Sequence, residues 1–349
     1  MAPVAVALRA RGLEPLLVLT GQQAIDIDEY GLDSFEQLAL DCPGQVDPDA
    51  HVDAVAKALR PHLARRPRLL LVQGDTSSAA GAARAAFAAG ISVGHVEAGL
   101  RTHDFALPWP EEGYRVAIDA QAELLFAPSE HAARNLISEE VPGEIHVTGN
   151  SGIDALLAVT ASLPTPSPRE TGFSRMLVTC HRRESWGSGL HSIAAALIEV
   201  AETCPAQIDF VLHPNRHVAV TMERLLGNSS NIRLIEPCRH AELVRLMRDA
   251  DLILSDSGGI QEEAPALGTP LLVLRTKTER PEVIASGNAL LVGPNLDRIV
   301  AEVKRLLDDP AALAAMARPS FPYGTGDASV KIAAAVESRL RQSAWRAVG

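Results

Sequence analysis

Asp251-Leu-Ile-Leu-Ser-Asp-Ser-Gly-Gly-Ile-Gln-Glu-Glu263 runs from a short apolar segment, Leu252–Leu254, through a Ser-Gly-Gly turn into the opening of a helix. A strand that feeds a glycine turn and a helix N-terminus leaves several backbone N–H groups aimed at one spot, where the helix dipole adds positive potential. Ser257, Gly258 and Gly259 therefore form a candidate phosphate cradle, and the two glycines let the backbone approach a ligand closely. Glu263, one turn further on, is placed to accept hydrogen bonds from a ribose diol. An ordinary strand–turn–helix connection reads the same way locally. The position at a strand's carboxyl end, where open α/β sheets bind ligands, favours the cradle.

The rest of the chain repeats the strand and helix pattern. Apolar runs of strand length stand at Pro15–Thr20, Leu69–Gln73, Ser92–Val96, Leu124–Pro128 and Ile145–Thr148, then at Met176–Thr179, Phe210–His213, Ile232–Ile235, Leu271–Leu274 and Leu290–Val292. Helical segments such as Pro48–Ala64, Ser78–Ala89, Leu190–Cys204, Ala241–Ala250 and Leu296–Leu307 separate them. Strands buried on both faces and joined by helical crossovers imply parallel, doubly wound sheets. The Pro-rich stretch Leu163–Gly172 is the expected linker. It predicts an N-terminal domain over 1–165, a nucleotide-binding domain over 173–325, and a helix within 326–349 that braces the first domain. Ligand would lie in a cleft between the domains. Met1–Leu8 resembles the tail of a first helix, so the expected opening strand and its glycine turn are missing, although Val4–Leu8 could itself be a strand.

Bulk properties exclude several classes. A chain of 349 residues with 47% apolar residues suits two globular domains. A formal charge of −11 argues against nucleic acid or an anionic membrane as partner. Four scattered cysteines without Cys-x-x-Cys spacing fit a reducing cytoplasm with neither disulfides nor a zinc site. No run reaches membrane-spanning length.

Candidate chemistry follows the strands. In the first half, Gln73-Gly-Asp-Thr-Ser77 places Asp75 at a strand end, and Gly94-His-Val-Glu-Ala-Gly-Leu-Arg-Thr102 places Glu97 and Arg101 after the next strand. Pro108-Trp-Pro-Glu-Glu-Gly-Tyr-Arg115 then puts Glu111 and Glu112 at a helix opening. Asp75 is equally a helix N-cap, and Glu111 with Glu112 equally a first turn that complements the dipole. Carboxylates gathered on one sheet rim acquire pKa values suited to proton transfer. The second half offers Cys180-His-Arg-Arg-Glu-Ser185 and His213-Pro-Asn-Arg216 after its first two strands. His181, Arg182 and Arg183 are a diphosphate clamp or a solvated surface run, and His213 is a ligand contact or a satisfied buried histidine. Thr278-Glu-Arg-Pro-Glu282, with Arg280, is a further loop that would close over the nucleotide end.

Taken together, Gly-Asp-Thr at 74–76, His-Val-Glu-Ala-Gly-Leu-Arg-Thr at 95–102, Pro-Trp-Pro-Glu-Glu at 108–112, Thr-Gly-Asn at 148–150, His-Arg-Arg-Glu-Ser at 181–185, Ser-Asp-Ser-Gly-Gly-Ile-Gln-Glu-Glu-Ala-Pro at 255–265 and Thr-Glu-Arg-Pro-Glu at 278–282 resemble the non-hydrolysing bacterial UDP-N-acetylglucosamine 2-epimerases. The resemblance implies a glycosyltransferase-B-like fold, a homodimer, and interconversion of UDP-GlcNAc with UDP-ManNAc, supplying ManNAc units for surface polysaccharide, without cofactor or metal. It implies Asp75, Glu97 and Glu111 as proton-handling carboxylates and His181 as the aid to the leaving diphosphate. Arg101, Arg182, His213, Ser257, Gly258, Gly259, Glu263 and Arg280 are then substrate contacts. Which carboxylate serves which face of C2, and the substituents at C3 and C6 of the sugar, stay open.

Three departures accompany it. Met1 corresponds to a point after the family's first strand and its Gly-Thr-Arg-Pro-Glu loop, so either the natural product extends upstream or the chain folds poorly and is inactive. Thr20-Gly-Gln-Gln23 keeps Gln22 of a Gln-His-Arg segment tied to activation by a second substrate molecule, but lacks the His and Arg. Pro237-Cys-Arg-His-Ala241 lacks the tyrosine often found near the uracil. Two other functions are compatible: a glycosyltransferase of the same architecture, which needs no carboxylates on the sugar side, and a UDP-sugar-binding protein without turnover.

Overall fold

A computed structural model of the chain describes residues 1–21, 32, 35–38, 40, 47–165, 172–182 and 186–346, apart from the side chains of 217 and 343–346. These residues form two units, Met1–Ala155 with Tyr323–Gly349 and Leu156–Pro322. The division falls inside a helix rather than in the Pro-rich stretch, of which 166–171 lie outside the described residues.

The first unit holds α1 (Ala2–Ala10), β1 (Val18–Leu19), β2 (Glu36–Gln37), α2 (Pro48–Leu63), β3 (Leu70–Gln73), α3 (Ser77–Ala88), β4 (Val93–Val96), α4 (Glu111–Asp119), β5 (Leu124–Ala127), α5 (Glu130–Ser138), β6 (Glu144–Val147) and the start of α6 (Ser151–Ser162). Its strands form a parallel four-stranded sheet, β3-β4-β5-β6, and a separate parallel pair, β1-β2. The opening residues are helical, as the reading of Met1–Leu8 as the tail of a helix expected. The expected strand Pro15–Thr20 shrinks to Val18–Leu19, and Glu36–Gln37, with no apolar run, gave no sequence signal. Strand β5 is buried at every residue, as continuous apolar strands covered on both faces should be. Helix starts follow local capping chemistry: the Asp47 carboxylate accepts from Asp49 N and Ala50 N, and the Ser129 hydroxyl from Ala132 N.

The second unit holds β7 (Ser174–Thr179), α7 (Ser188–Thr203), β8 (Ala206–Val211), α8 (Arg216–Leu226), β9 (Ile232–Ile235), α9 (His240–Asp249), β10 (Leu252–Ser255), α10 (Gly258–Leu267), β11 (Leu271–Val273), α11 (Pro281–Ala285), β12 (Ala289–Leu291), α12 (Leu296–Asp308) and α13 (Pro310–Met316). Its six parallel strands run in the order β12-β11-β10-β7-β8-β9. The core packs Val178, Leu252, Leu254 and Phe210 of the sheet against Leu197 and Val200 of α7 and Val303 of α12. The last helix, α14 (Ala328–Arg346), returns to the first unit. There Ile332, Ala333 and Val336 join Val4 and Leu8 of α1 over Val96, Leu124 and Phe126. Asp154 accepts from Ser329 N at 2.8 Å, and Arg11 donates to Glu337 at 2.7 Å. Among the described residues no helix is long and apolar enough to cross a membrane. Cys204 and Cys238 are free thiols, and Cys42 lies outside the described residues.

Candidate active site

The sheet order of the second unit reverses at β7, which lies between β10 and β8. Loops leaving two neighbouring strands on opposite sides of such a reversal part and open a crevice at the carboxyl edge. The register pairs Ser255 with Thr179, so Cys180 and His181 leave the sheet beside Asp256 and Ser257. A pocket of about 330 Å³ opens there, lined by His181, His213, Pro237, Cys238, Ser257, Gly259 and Glu263, among others. Asp256 organises the turn. Fully buried, it accepts from His181 N at 2.9 Å, from Arg182 N at 2.8 Å and from Cys180 Sγ at 3.2 Å. Ser257 stands at the N-cap of α10 without a side-chain cap hydrogen bond, which leaves the first turn of that helix able to bind an anion. Glu263 receives a hydrogen bond across 3.3 Å from His240 Nε2.

The rings of His181 and His213 stack with centroids 4.9 Å apart. Burial, aided by the electrostatic influence of His181 and opposed by Asp256, lowers the His213 pKa to about 4. Asn215 N donates to His213 Nδ1 at 3.0 Å, so the neutral ring carries its proton on Nε2 as a donor. Protons therefore bind the unfolded chain before the folded one. The stability this histidine contributes is complete above its ordinary pKa of 6.5 and falls as pH drops towards 4. The melting temperature of the wild type should consequently decline over that window more steeply than that of His213→Gln. Parallel thermal melts between pH 4 and 7.5 check this, and superimposable slopes would contradict it.

Arg280, a ligand contact on the sequence reading, has internal carboxylate partners. Its guanidinium is buried and donates to Glu262 at 2.6 Å and to Glu279, and Arg275 donates to Glu279 at 2.9 Å. A buried guanidinium needs carboxylate partners, and Glu262, 18 positions away, was invisible as such in Thr278–Glu282. Arg280 backs the Ser257–Gly259 turn: a Cβ on Gly258 would stand 2.7 Å from its Nη1. Gly258→Ala must displace either this held guanidinium or the start of α10, costing about 1–3 kcal/mol. On the sequence expectation that this turn holds the diphosphate of UDP, UDP affinity should fall about tenfold, which corresponds to about 1.4 kcal/mol. Titration calorimetry measures it, and unchanged affinity would contradict it. Arg182 contributes its backbone N–H to Asp256, while Arg183 lies outside the described residues.

In the first unit the carboxylates gather on the loops after β3 and β4 and at the start of α4. The helix cap after β3 is Thr76, whose hydroxyl accepts from Ala79 N at 3.1 Å. Asp75 is thus not the cap, and its carboxylate accepts instead from buried Arg115. Arg115 also donates to Glu112 at 3.0 Å. Glu112 is buried and accepts from Thr102 N and His103 N, bracing the loop that precedes α4. Glu97 adopts φ +71°, a left-handed conformation rare for residues other than glycine, aspartate and asparagine. Such strain persists only where the surroundings impose it, and it concentrates at functional sites. Its Oε2 lies 3.5 Å from where a Cβ on Gly74 would stand, hence beside the residue that precedes Asp75. Glu111 opens α4 four positions before Arg115 on the same helix face.

Arg101, expected to touch substrate, is buried. It donates to Asp119 at 2.8 Å, to Glu139 at 2.7 Å and to the Leu100 carbonyl at 2.9 Å. Its donors serve the interior, because the acids that neutralise it lie on α4 and just past α5, beyond the motif that contains it. Among the described residues no group of three or more His, Cys, Asp or Glu side chains is arranged to hold a metal ion.

A profile of the UDP-N-acetylglucosamine 2-epimerase family matches residues 7–337. The chain belongs to this family. A probable UDP-N-acetylglucosamine 2-epimerase of Ralstonia nicotianae is 45% identical over 285 residues, covering 78% of this chain and 76% of that protein. The enzyme of Salmonella typhimurium is 44% identical over 298 residues, covering 81% and 79%. The crystal structure of UDP-GlcNAc 2-epimerase from Neisseria meningitidis bound to UDP-GlcNAc superposes with a TM-score of 0.90 at 35% identity, covering 98% of this chain and 96% of that one. The glycosyltransferase-B-like class expected from the sequence, two α/β units with parallel sheets, agrees with these epimerase structures.

For a chain of the epimerase family, the residues to which the sequence reading gave no role are the supports. Asp256, Arg115, Asp119, His95 and His240 hold the named residues or the loops that carry them. One signal was available: Glu111, Arg115 and Asp119 recur every four positions, so one helix face carries all three.

Proposed function

We propose that the chain interconverts UDP-GlcNAc and UDP-ManNAc by inverting C2 of the sugar. The C2 proton is barely acidic on a carbon bearing only an amide nitrogen. Departure of UDP from C1 builds positive character next to it and makes proton removal feasible, leaving bound 2-acetamidoglucal and UDP. Return of the diphosphate oxygen to C1, with proton delivery to C2 from the opposite face, gives the epimer. The scheme needs an acid or base on each face, a cationic and N–H-rich cradle for UDP, and exclusion of water so that the glycal is retained.

On this proposal the N-terminal turn of α10, with Ser257, Gly258 and Gly259, holds the diphosphate, and Glu263 holds the ribose. His213 presents its Nε2–H to the nucleotide, and His181 stabilises the departing diphosphate with help from Arg182. Asp75, Glu97 and Glu111 move protons on the sugar. The observation that carries an epimerase over a glycosyltransferase or a simple binder is the presence of Asp75, Glu97 and Glu111 just after β3, just after β4 and at the head of α4. A transferase needs no such set on the sugar side.

Positional isotope exchange tests the bond that breaks. With ¹⁸O in the bridge between C1 and the β-phosphorus, and no acceptor present, the label should migrate into non-bridging positions as UDP leaves, rotates and returns. Retention of all label in the bridge while UDP-ManNAc forms would overturn the elimination mechanism. No product without an acceptor, but transfer with one, would favour the transferase.

A further inference from the structure

We propose that His95 is a permanent imidazolium that acts as a positioning residue, fixing the Gly74–Asp75 peptide and with it the Asp75 carboxylate. The inference rests on the epimerase reading for the role of Asp75, but the charge on His95 follows from hydrogen bonding alone. His95 Nδ1 lies 2.5 Å from Asp119 Oδ1, and Nε2 lies 2.9 Å from the Gly74 carbonyl oxygen. A neutral imidazole offers one donor and one acceptor. The Gly74 carbonyl can only accept. Asp119 receives Gly99 N at 3.1 Å and Arg101 Nη2 at 2.8 Å on its other oxygen, which favours its ionised form. Both ring nitrogens of His95 must therefore donate.

Surrounding charges agree. Burial by itself would lower the pKa of His95, yet attraction to Asp119, the hydrogen bonds to Asp119 and the Gly74 carbonyl, and the nearby Glu97 together raise it. Burial would likewise raise Asp119, but His95 and Arg101 outweigh it and hold that carboxyl below its ordinary range. Both His95 and Asp119 are fully buried, so the pair is screened little by water.

The consequence is geometric. The Gly74 carbonyl belongs to the peptide from which Asp75 hangs, at a glycine with φ +67°. His95 grips that peptide from β4, and Arg115 grips the Asp75 carboxylate from α4. Asp119, one turn beyond Arg115, closes the circuit by tying α4 to β4. Glu97, two residues after His95, and Glu111, at the head of α4, are then set in the same frame as Asp75.

Asp119→Asn tests this with little change of shape. In wild-type protein, ¹⁵N NMR of the histidine rings at pH 7.5 should show both nitrogens of His95 protonated. In Asp119→Asn one of them should become bare. Turnover should fall about 10- to 100-fold, while KM for UDP-GlcNAc and calorimetric affinity for UDP stay within about twofold. His95→Asn should show the same split between kcat and KM. A bare ring nitrogen on His95 in the wild type would overturn the proposal, as would kcat within twofold of wild type in a folded Asp119→Asn protein. A wild type without any epimerisation would count against the proposed function instead, and the NMR signature would still decide the charge on His95.

Discussion

Asp75→Asn is expected to reduce C2 proton exchange and epimerisation by about 10²- to 10⁴-fold, the range for loss of a positioned general acid or base. The substitution keeps size and one acceptor oxygen, so the hydrogen bond from Arg115 survives in neutral form and the loop after β3 retains its shape. UDP affinity should stay within about twofold, because the turn proposed to hold the diphosphate belongs to the other unit. Stability should change little, since Thr76 rather than Asp75 caps α3. The measurement is deuterium uptake at C2 at saturating substrate, beside calorimetry with UDP. An activity loss below tenfold would remove Asp75 from the proton-handling set.

Arg115→Met should produce the largest loss of stability in the first unit. Arg115 and Glu112 are each 1% exposed, and the guanidinium joins Glu112 to Asp75. Glu112 would keep its hydrogen bonds from Thr102 N and His103 N but lose its counter-charge. Removing one partner of a buried pair typically costs about 3–5 kcal/mol, because the other charge remains stranded. For a unit of this size that lowers the melting temperature by roughly 10 °C. The double variant Glu112→Gln with Arg115→Met should recover part of the loss, which mere loss of packing would not allow. Denaturant unfolding of the single and double variants checks the cost and its sign. A single variant within about 1 kcal/mol of wild type would show that the guanidinium is dispensable.

The outline of the fold was legible because parallel strands covered on both faces write continuous apolar runs into the sequence. Ten of the eleven runs read as strands overlap β3–β12, and the eleventh overlaps β1. Strand β2 was not legible, since Glu36 and Gln37 give no alternation to detect. The strand–turn–helix passage at Ser257-Gly-Gly was legible, because its geometry depends on local residues. Arg101 and Arg280 show where local reading stops. Each lies in a motif beside candidate ligand contacts, yet each is buried against acids supplied by distant elements: Asp119 and Glu139 for one, Glu262 for the other. Sequence spacing ranks a cation as exposed by default, and only the three-dimensional partners reveal that it is an internal strut. For Asp75 the structure removes the cap reading, since Thr76 takes that place. Gln22 and Gln23, in the segment considered for activation, lie outside the described residues.

Epimerisation of the nucleotide sugar by proton transfer at C2 is most directly tested by NMR in D2O. Purified protein incubated with UDP-GlcNAc alone should give UDP-ManNAc signals and replace the C2 proton by deuterium in the product. Conversion with the C2 hydrogen retained, or persistence of unexchanged UDP-GlcNAc despite tight UDP binding, would contradict proton-transfer epimerisation as the function of this chain.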